Sequence, residues 1–349
     1  MFLRNFWYVA AWPSELSAGP LARTFLDEPV VLFRTQDGSI HALEDRCCHR
    51  NLPLSMGKIE GDNLRCGYHG LLFDRAGKCV EVPGRSQIPP DARVKSYPLV
   101  EKWKLLWIWM GDPARADPSS IPDWHYLDDP NWVAAHGNDE KPLLMRCNWQ
   151  LNNDNLLDLS HTAYVHVSSL GAGVPAEYPI RTTRRETGVK MERFIPDQEP
   201  TPLFAKYLGS SGRVDKWSSS DIIVPCHCTV DAGFAPLGKF KEGQERPDDA
   251  FGFRALITAT PETERTSFMF YAQCRNFLTD KPELTKGFVN DFRNLFFEDI
   301  GVMEAQQRVN DARQDAPRID INVDGPHLAM RQLIQRIAAA EEGRRAAAE

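Results

Sequence analysis

The 349-residue sequence predicts an α+β protein, with an all-β N-terminal module ahead of a larger α+β domain. Three features carry that expectation. Short runs of β-forming residues separated by turn dipeptides fill the first hundred positions. A Pro/Asp-rich stretch between Gly111 and Asp123 interrupts them. Beyond it, strand-like segments lead to one long amphipathic stretch, Leu284 to Val309, whose periodicity is helical despite Gly287 and Gly301. The domains are accordingly set at 1–115 and 116–349, the second an antiparallel sheet with a long C-terminal helix.

The elements follow in order. Pro29 to Arg34 (PVVLFR) turns at Asp37-Gly38 into Ile40 to Leu43, which reads as a hairpin. Gly70 to Asp74 runs into Ala76-Gly77, a second hairpin. Lys104 to Met110 (KLLWIWM) has the composition of a buried strand. Asn152 to Tyr164 carries apolar residues at Leu156, Leu157, Leu159, Ala163 and Tyr164, which suits a helix. Segments 187–194, 221–235, 251–260 and 265–275 read as strands. The Ala/Glu/Arg-rich tail from Ala338 to Glu349 is expected to fray.

Composition narrows the class. With 42% hydrophobic and 26% charged residues the chain is ordinary globular material, and 10% aromatic residues can furnish a large core or an apolar pocket. A net charge of −7 argues against a nucleic-acid partner. No run approaches 18 apolar residues, and Met1 to Asn5 lacks a signal-peptide start, so a membrane span is not expected and a cytoplasmic location is. In that reducing compartment eight cysteines do not make a disulfide framework. Cys48, Cys79, Cys147, Cys226, Cys228 and Cys274 read as small buried hydrophobes.

Cys47 and Cys66 differ, because each has a histidine close by. Cys47-Cys48-His49-Arg50 and Cys66-Gly67-Tyr68-His69-Gly70 each supply one thiolate and one imidazole. Four such ligands could hold tetrahedral zinc, but a Cys2His2 finger places its cysteines first and its histidines second. The interleaved order suits a [2Fe–2S] cluster with two thiolates on one iron and two imidazoles on the other. Neutral imidazoles raise the potential of such a cluster to roughly −150 to +300 mV, against about −400 mV for all-cysteine plant-type clusters. The run resembles the Rieske non-heme iron oxygenases, whose usual first half is C-P-H-R. Cys48 takes the place of that proline and leaves the ligand set unchanged.

A second constellation lies in Asn152 to His166. His161 and His166, five apart, would diverge by about 140° on an ideal helix, so the helix should end or unwind near Ala163 for both to face one metal. Two imidazoles and one carboxylate make the facial triad of non-heme Fe(II), with positions left for oxygen. The best candidate acids are Glu298 and Asp299, set in the otherwise apolar Phe296 to Ile300, where an unpaired carboxylate would be costly. The His-x4-His pair alone reads as readily as two structural histidines. The resemblance selects among these: its D-x2-H-x4-H pattern falls on Asp158, His161 and His166. The run E-D-x3-M-E-x-Q-Q then puts the acid at Asp299, with Glu298 as fallback.

Asp158 lies one helical turn before His161, where its carboxylate can accept the second imidazole N–H and fix the tautomer. The resemblance gives it a further role, bridging the mononuclear site to a Rieske histidine of a neighbouring subunit. That implies a head-to-tail homotrimer. Asn155, a further turn back, is either an outer partner of the metal site or a helix-start polar residue.

The resemblance extends over nearly the whole chain and is strongest to the branch containing vanillate O-demethylase, toluenesulfonate methyl-monooxygenase and dicamba monooxygenase. Matching stretches include Arg4 to Ala10, Cys66 to Leu71, Ile108 to Pro113, Asp154 to His166, Pro261 to Glu264 and Arg275 to Phe277. It implies a helix-grip-like second domain, one [2Fe–2S] cluster and one mononuclear Fe(II) per chain, and O2 as co-substrate. The implied reaction oxidises a methyl or methoxy group of a small aromatic acid. A hydroxylated methoxy carbon is a hemiacetal that loses formaldehyde. With no trusted dinucleotide or flavin motif in the chain, electrons would come from a separate flavin/ferredoxin-type reductase using NAD(P)H. Strand alternation puts Cys226, Cys228, Val230 and Ala232 on one face and Ala255, Ile257 and Ala259 on another; Cys228, Val230 and Ile257 are the candidate pocket residues. Val230 and Ile257 stand where the dicamba enzyme has polar contacts, which argues against dicamba as substrate. Arg254 and His227 are candidates to meet a substrate anion, against an exposed structural role for each. The alternatives are a ring-hydroxylating dioxygenase and, in another class, an electron carrier with an inert binding domain.

Overall fold

The computed structural model describes residues 1–167, 178–208, 212–242, 244 and 250–346. Two compact units divide the chain: Met1–Ile121 with Thr260–Glu264, and Pro122–Ala259 with Arg265–Glu349.

The first unit holds β1 (Trp7–Ala11), β2 (Leu21–Phe25), β3 (Glu28–Arg34), β4 (Ile40–Glu44), β5 (Lys58–Glu60), β6 (Asn63–Arg65), β7 (Leu72–Phe73), β8 (Cys79–Glu81), β9 (Ser96–Tyr97), β10 (Leu99–Lys102) and β11 (Leu105–Trp109). They form three antiparallel sheets, ordered β1-β11-β10, β2-β3-β4-β9 and β5-β6-β7-β8. Both sequence-predicted hairpins are here. Every residue of the LLWIW strand β11 is buried, as an uninterrupted apolar run requires. Residues 260–264 complete the unit: Leu26 and Asp27 donate N–H bonds to the Pro261 and Glu262 carbonyls, and the Thr260 hydroxyl donates to the Val9 carbonyl at 2.7 Å.

The second unit is a sheet of eight antiparallel strands: β12 (Val133–His136), β13 (Leu143–Met145), β14 (Arg181–Arg185), β15 (Gly188–Gln198), β16 (Val214–Ile223), β17 (His227–Pro236), β18 (Phe251–Thr263) and β19 (Thr266–Arg275). Its order is β12-β19-β18-β17-β16-β15-β14, with β13 also on β19. The helices are α1 (Trp149–Leu156), α2 (Thr162–Val165), α3 (Pro202–Leu208), α4 (Glu283–Ala312) and α5 (Gly325–Ala346). Helix α4 buries Phe288, Phe292, Leu295, Phe296, Asp299, Ile300 and Met303, one stripe at three- and four-residue spacing. Its rings meet those of the sheet, Phe292 lying 4.8 Å from Phe253 and Phe296 4.7 Å from Tyr271 between centroids.

Several expectations are corrected. The segment read as one strand at 221–235 is two, β16 and β17, separated by a turn at 224–226 that contains the cis Val224–Pro225 bond. The segment 152–164 is not one helix: α1 ends at Leu156 and α2 begins at Thr162, because the Asp158 carboxylate caps the Ser160 N–H and hydroxyl and breaks the helix there, well before Ala163. The tail from Ala338 does not fray at once; α5 continues to Ala346 with Ala338 buried, and 347–349 lie outside the described residues. Among the described residues no helix is long and apolar enough to cross a membrane.

Candidate metal centres and substrate cavity

In the first unit Cys47 and Cys66 sit in two loops built alike. The Cys47 N–H donates to the Leu52 carbonyl and the Cys66 N–H to the Leu71 carbonyl, each at 2.8 Å. The Cys47 carbonyl accepts from Asn51 N–H and the Cys66 carbonyl from Gly70 N–H. Asn51 and Gly70, at corresponding positions, both have positive φ (58° and 73°). Gly67 is required for packing, since a Cβ there would stand 2.7 Å from the Met56 carbonyl oxygen. Both cysteines are buried with Phe33, Leu54, Leu64 and Phe73, while Cys48 is only partly buried against that core. The two thiols lie within hydrogen-bonding range of each other, and burial first, with the neighbouring sulfur, pushes Cys47 up to about 11. His49 and His69 stand edge to face with ring centroids 4.6 Å apart. Paired thiols and paired imidazoles, each pair from both loops, make a donor set that fits two irons with unlike ligands.

In the second unit the two-helix arrangement brings His161 and His166 to Asp299 of α4. Asp299 Oδ1 is 3.1 Å from His166 Nε2 and 3.5 Å from His161 Nε2, and the three residues present donor atoms all within 4.8 Å of one another. The break between α1 and α2 lets both imidazoles face one point, which a continuous helix forbids. Glu298 is placed differently from the fallback expectation. Its Oε2 lies 2.6 Å from His166 Nδ1, on the ring's far side from Asp299. Asn155 Nδ2 donates to Asp299 Oδ1 at 3.1 Å, which ties the acid to α1. Asp158 Oδ2 is 3.9 Å from His161 Nδ1, a buried nitrogen with no hydrogen-bond partner among the described residues. Burial alone would lower the His166 pKa, but Asp299 and then Glu298 outweigh it and raise it. The spot therefore favours positive charge, and two imidazoles with one buried carboxylate are the chemistry of a divalent iron site.

Above the triad a cavity of about 150 Å³ opens between α4, the α1–α2 segment and one face of β15–β18. That is about the volume of an engineered protein cavity known to take up benzene. Its sheet wall is divided. Val230 and Ala232 on β17 and Phe253, Ala255 and Ile257 on β18 are apolar, whereas Arg193 on β15 and Lys216, Ser218 and Ser220 on β16 are polar.

Val230 and Ile257 thus line the cavity, as their alternation predicts. Cys228 does not: although it pairs directly with Ile257, it is fully buried, with its thiol turned to Ser220 and the Asp221 backbone. Arg254 and His227 are neither exposed nor in the cavity. Arg254 binds Asp231 at 2.5 Å on the sheet's other face, over the Tyr126 and Trp132 rings, and His227 Nδ1 lies 3.0 Å from the Thr258 hydroxyl. Arg193 and Lys216 were not anticipated. The only sequence signal for them is a basic residue alternating with small or apolar ones, which becomes informative once β16 is known to begin at Val214.

Comparison with known proteins places these features together. Residues 6–98 match the Rieske [2Fe-2S] domain model, and residues 145–340 match the vanillate O-demethylase oxygenase C-terminal domain model. The chain is 40% identical over 347 residues to the toluene-4-sulfonate monooxygenase system iron-sulfur subunit of Comamonas testosteroni, covering 98% of this chain and 99% of that one. It is 33% identical to a vanillate O-demethylase oxygenase subunit of a Pseudomonas species, over 98% of this chain and 96% of that one. Dicamba monooxygenase bound to 3,6-dichlorosalicylic acid superposes with a TM-score of 0.90 at 34% identity, covering 98% of this chain and 99% of the other. The same enzyme has been solved with non-heme iron and dicamba, and that structure matches with a TM-score of 0.84.

Proposed function

The chain belongs to the Rieske non-heme iron oxygenases, in the branch of the vanillate O-demethylase oxygenase subunits, and from that membership we propose how its own residues serve the reaction. The protein is the oxygenase component of a monooxygenase acting on aromatic substrates, working with a separate reductase. The observation that carries the residue assignment is the convergence of His161, His166 and Asp299 at the apex of a ring-sized cavity.

Cys47, His49, Cys66 and His69 would hold the [2Fe–2S] cluster, and His161, His166 and Asp299 the mononuclear Fe(II). When bound, the cluster passes single electrons and the iron supplies the redox chemistry that turns O2 against a carbon–hydrogen bond. Glu298 holds His166 Nδ1 and so directs Nε2 towards the metal position, and Asn155 keeps the Asp299 carboxylate turned the same way. The apolar wall of Val230, Ala232, Ala255 and Ile257 excludes water and packs on the face of an aromatic ring. The substrate is a small aromatic acid carrying a methyl or methoxy group. The reductase is of the flavin/ferredoxin type.

Asp158 is the electron bridge of a head-to-tail homotrimer. Two features support that reading: its carboxylate already faces His161 Nδ1, and exposed aromatics flank both metal positions, Tyr68 beside His69 and Tyr164 near His166. Metal and acid-labile sulfide analysis tests the whole assignment. The expected composition is three irons (two in the cluster, one mononuclear) and two sulfides per chain. Two irons would identify an electron carrier.

A further inference from the structure

Among the described residues several buried or half-buried cations are spent on partners. Arg254 binds Asp231, Arg23 binds Glu15 at 2.8 Å, Arg331 binds Asp154, and Arg275 donates to the backbone carbonyls of Phe277, Leu278 and Lys281. Arg193 and Lys216, which line the cavity, are not so spent. Arg193 is 7% exposed, and among the described residues it makes no hydrogen bond or ion pair; its Nε is buried without a partner. Lys216 likewise has no carboxylate partner among the described residues, and the charge it feels is the unfavourable one of Arg193. Burial lowers the pKa of both, Lys216 to about 8, and a guanidinium in a protein stays charged regardless.

The acids nearby are committed elsewhere. Asp158 attracts Arg193 at a distance, but its Oδ1 accepts the Ser160 N–H and hydroxyl, each at 2.6 Å, and its Oδ2 faces His161. Asp299 lies between the two histidines. Two adjacent cations on the wall of a cavity whose carboxylates, Asp158 and Asp299, are engaged elsewhere are costly, so the arrangement makes physical sense when a further anion comes from outside.

The sheet register fixes the shape of that anion's seat. Arg193 is directly opposite Ser218, and Lys216 is two residues from Ser218 on the same face of the same strand. Neighbours so related have Cβ atoms about 5–8 Å apart, within reach for a guanidinium, an ammonium and a hydroxyl to meet one small group. Across the next strand Ser218 pairs with Ala232, where the apolar wall begins. The cavity thus has a cationic side and a ring-sized apolar side, with the triad facing both.

Building on the function proposed above, we propose that Arg193, Lys216 and Ser218 are the anion clasp of this cavity. They hold the sulfonate or carboxylate of a methyl- or methoxy-benzene, and so select anionic substrates over neutral ones and fix which ring substituent reaches the triad. Arg193 offers a planar fork and Lys216 a movable point charge, so the pair accepts either acid.

The test is equilibrium binding to the oxidised holoenzyme without reductase, by calorimetry, so that no turnover intervenes. The probes are 4-toluenesulfonate, 4-methylbenzoate and methyl 4-tolyl sulfone, a neutral group of nearly the sulfonate's shape. Wild type binds at least one anion about tenfold or more tighter than the sulfone. Arg193→Met and Lys216→Met each weaken the anions by about ten- to a hundredfold and leave sulfone binding within about threefold, which also shows that the cavity is intact. Lys216→Arg keeps the charge and retains most of the anion affinity. The order of the two anions identifies the acid. Equal binding of sulfone and both anions by wild type, or undiminished anion binding by both methionine variants, overturns the clasp. Failure of the reaction assignment looks different: charge-dependent binding persists, but the reduced, reductase-supplied enzyme yields neither formaldehyde nor a benzylic alcohol from any bound acid.

Discussion

Removing the Glu298 carboxylate should weaken iron binding about tenfold without abolishing it. Glu298 Oε2 and His166 Nδ1 are 2.6 Å apart, the short length of a charge-assisted hydrogen bond. Such bonds contribute about 1.5–3 kcal/mol, and this one belongs at the low end because the Glu298 side chain is 39% exposed and water screens it. About 1.5 kcal/mol is roughly a factor of ten, within the 10- to 100-fold range for outer partners of metal-bound histidines. The assay is anaerobic Fe(II) titration of chelator-treated protein against a competing chelator, with cluster absorbance as the control for intact protein. Glu298→Ala should show the tenfold loss, and Glu298→Gln, which keeps one acceptor oxygen, should fall between it and wild type. Unchanged affinity in Glu298→Ala would mean His166 is oriented by something else. A loss as complete as in Asp299→Ala would make Glu298 itself a ligand.

Three further outcomes are expected. Asp299→Ala lowers iron from three towards two per chain and leaves the visible absorption of the cluster unchanged, as measured by metal analysis and spectrum on one sample. Asp158→Asn keeps the fold, both metal sites and substrate binding but nearly abolishes coupled turnover; single-turnover re-oxidation of a pre-reduced cluster at the wild-type rate would remove Asp158 from the electron route. In the first unit, burial works to raise the Glu28 pKa, but Lys95 and Tyr97, each 2.7 Å from Oε2, outweigh it and hold the carboxyl below its usual 4.5. Because the folded value is depressed, its stabilisation is complete above about pH 4.5 and fades as the pH falls through the folded value. Glu28→Gln should therefore cost about 1–2 kcal/mol in urea unfolding at pH 7 and nothing in the acid limb.

Much of this was legible because metal chemistry is written locally. The Cys47–His49 and Cys66–His69 pairs lie within short loops, so residue type and order alone distinguish the interleaved cluster pattern from a zinc finger. The two core hairpins were legible from their turn dipeptides, and α4 from its periodicity. What escaped was whatever depends on rotation or register. The choice of Asp299 over Glu298 rested on the resemblance, because which of them turns to the histidines depends on the rotation of α4, and periodicity does not resolve neighbouring residues that finely. The helix break fell at Asp158 because a side-chain cap there outcompetes the helix, a contest that propensities do not settle. Lys216 escaped because the 214–223 segment, with three consecutive serines at Ser218 to Ser220, shows no apolar alternation, and Arg193, on a strand that was legible, gained meaning only once that segment was paired beside it. The segment's place in the sheet comes from pairing on both sides, and that pairing decides which side chains face the cavity. Arg254 and His227 misled for the converse reason, since basic residues on a strand can be buried by partners far away in sequence.

The reaction proposed for this chain is insertion of oxygen into a methyl or methoxy carbon of an aromatic acid held beside His161, His166 and Asp299. It is tested most directly by a single turnover under 18O2. Enzyme with its cluster pre-reduced is mixed with whichever methyl- or methoxy-substituted acid most accelerates cluster re-oxidation, and the products are analysed by mass. The expected result is one 18O in a benzylic alcohol, or formaldehyde with the matching phenol from a methoxy acid, in each case dependent on Asp299. A ring cis-diol carrying two labelled oxygens, or re-oxidation with no label in any organic product, would contradict it.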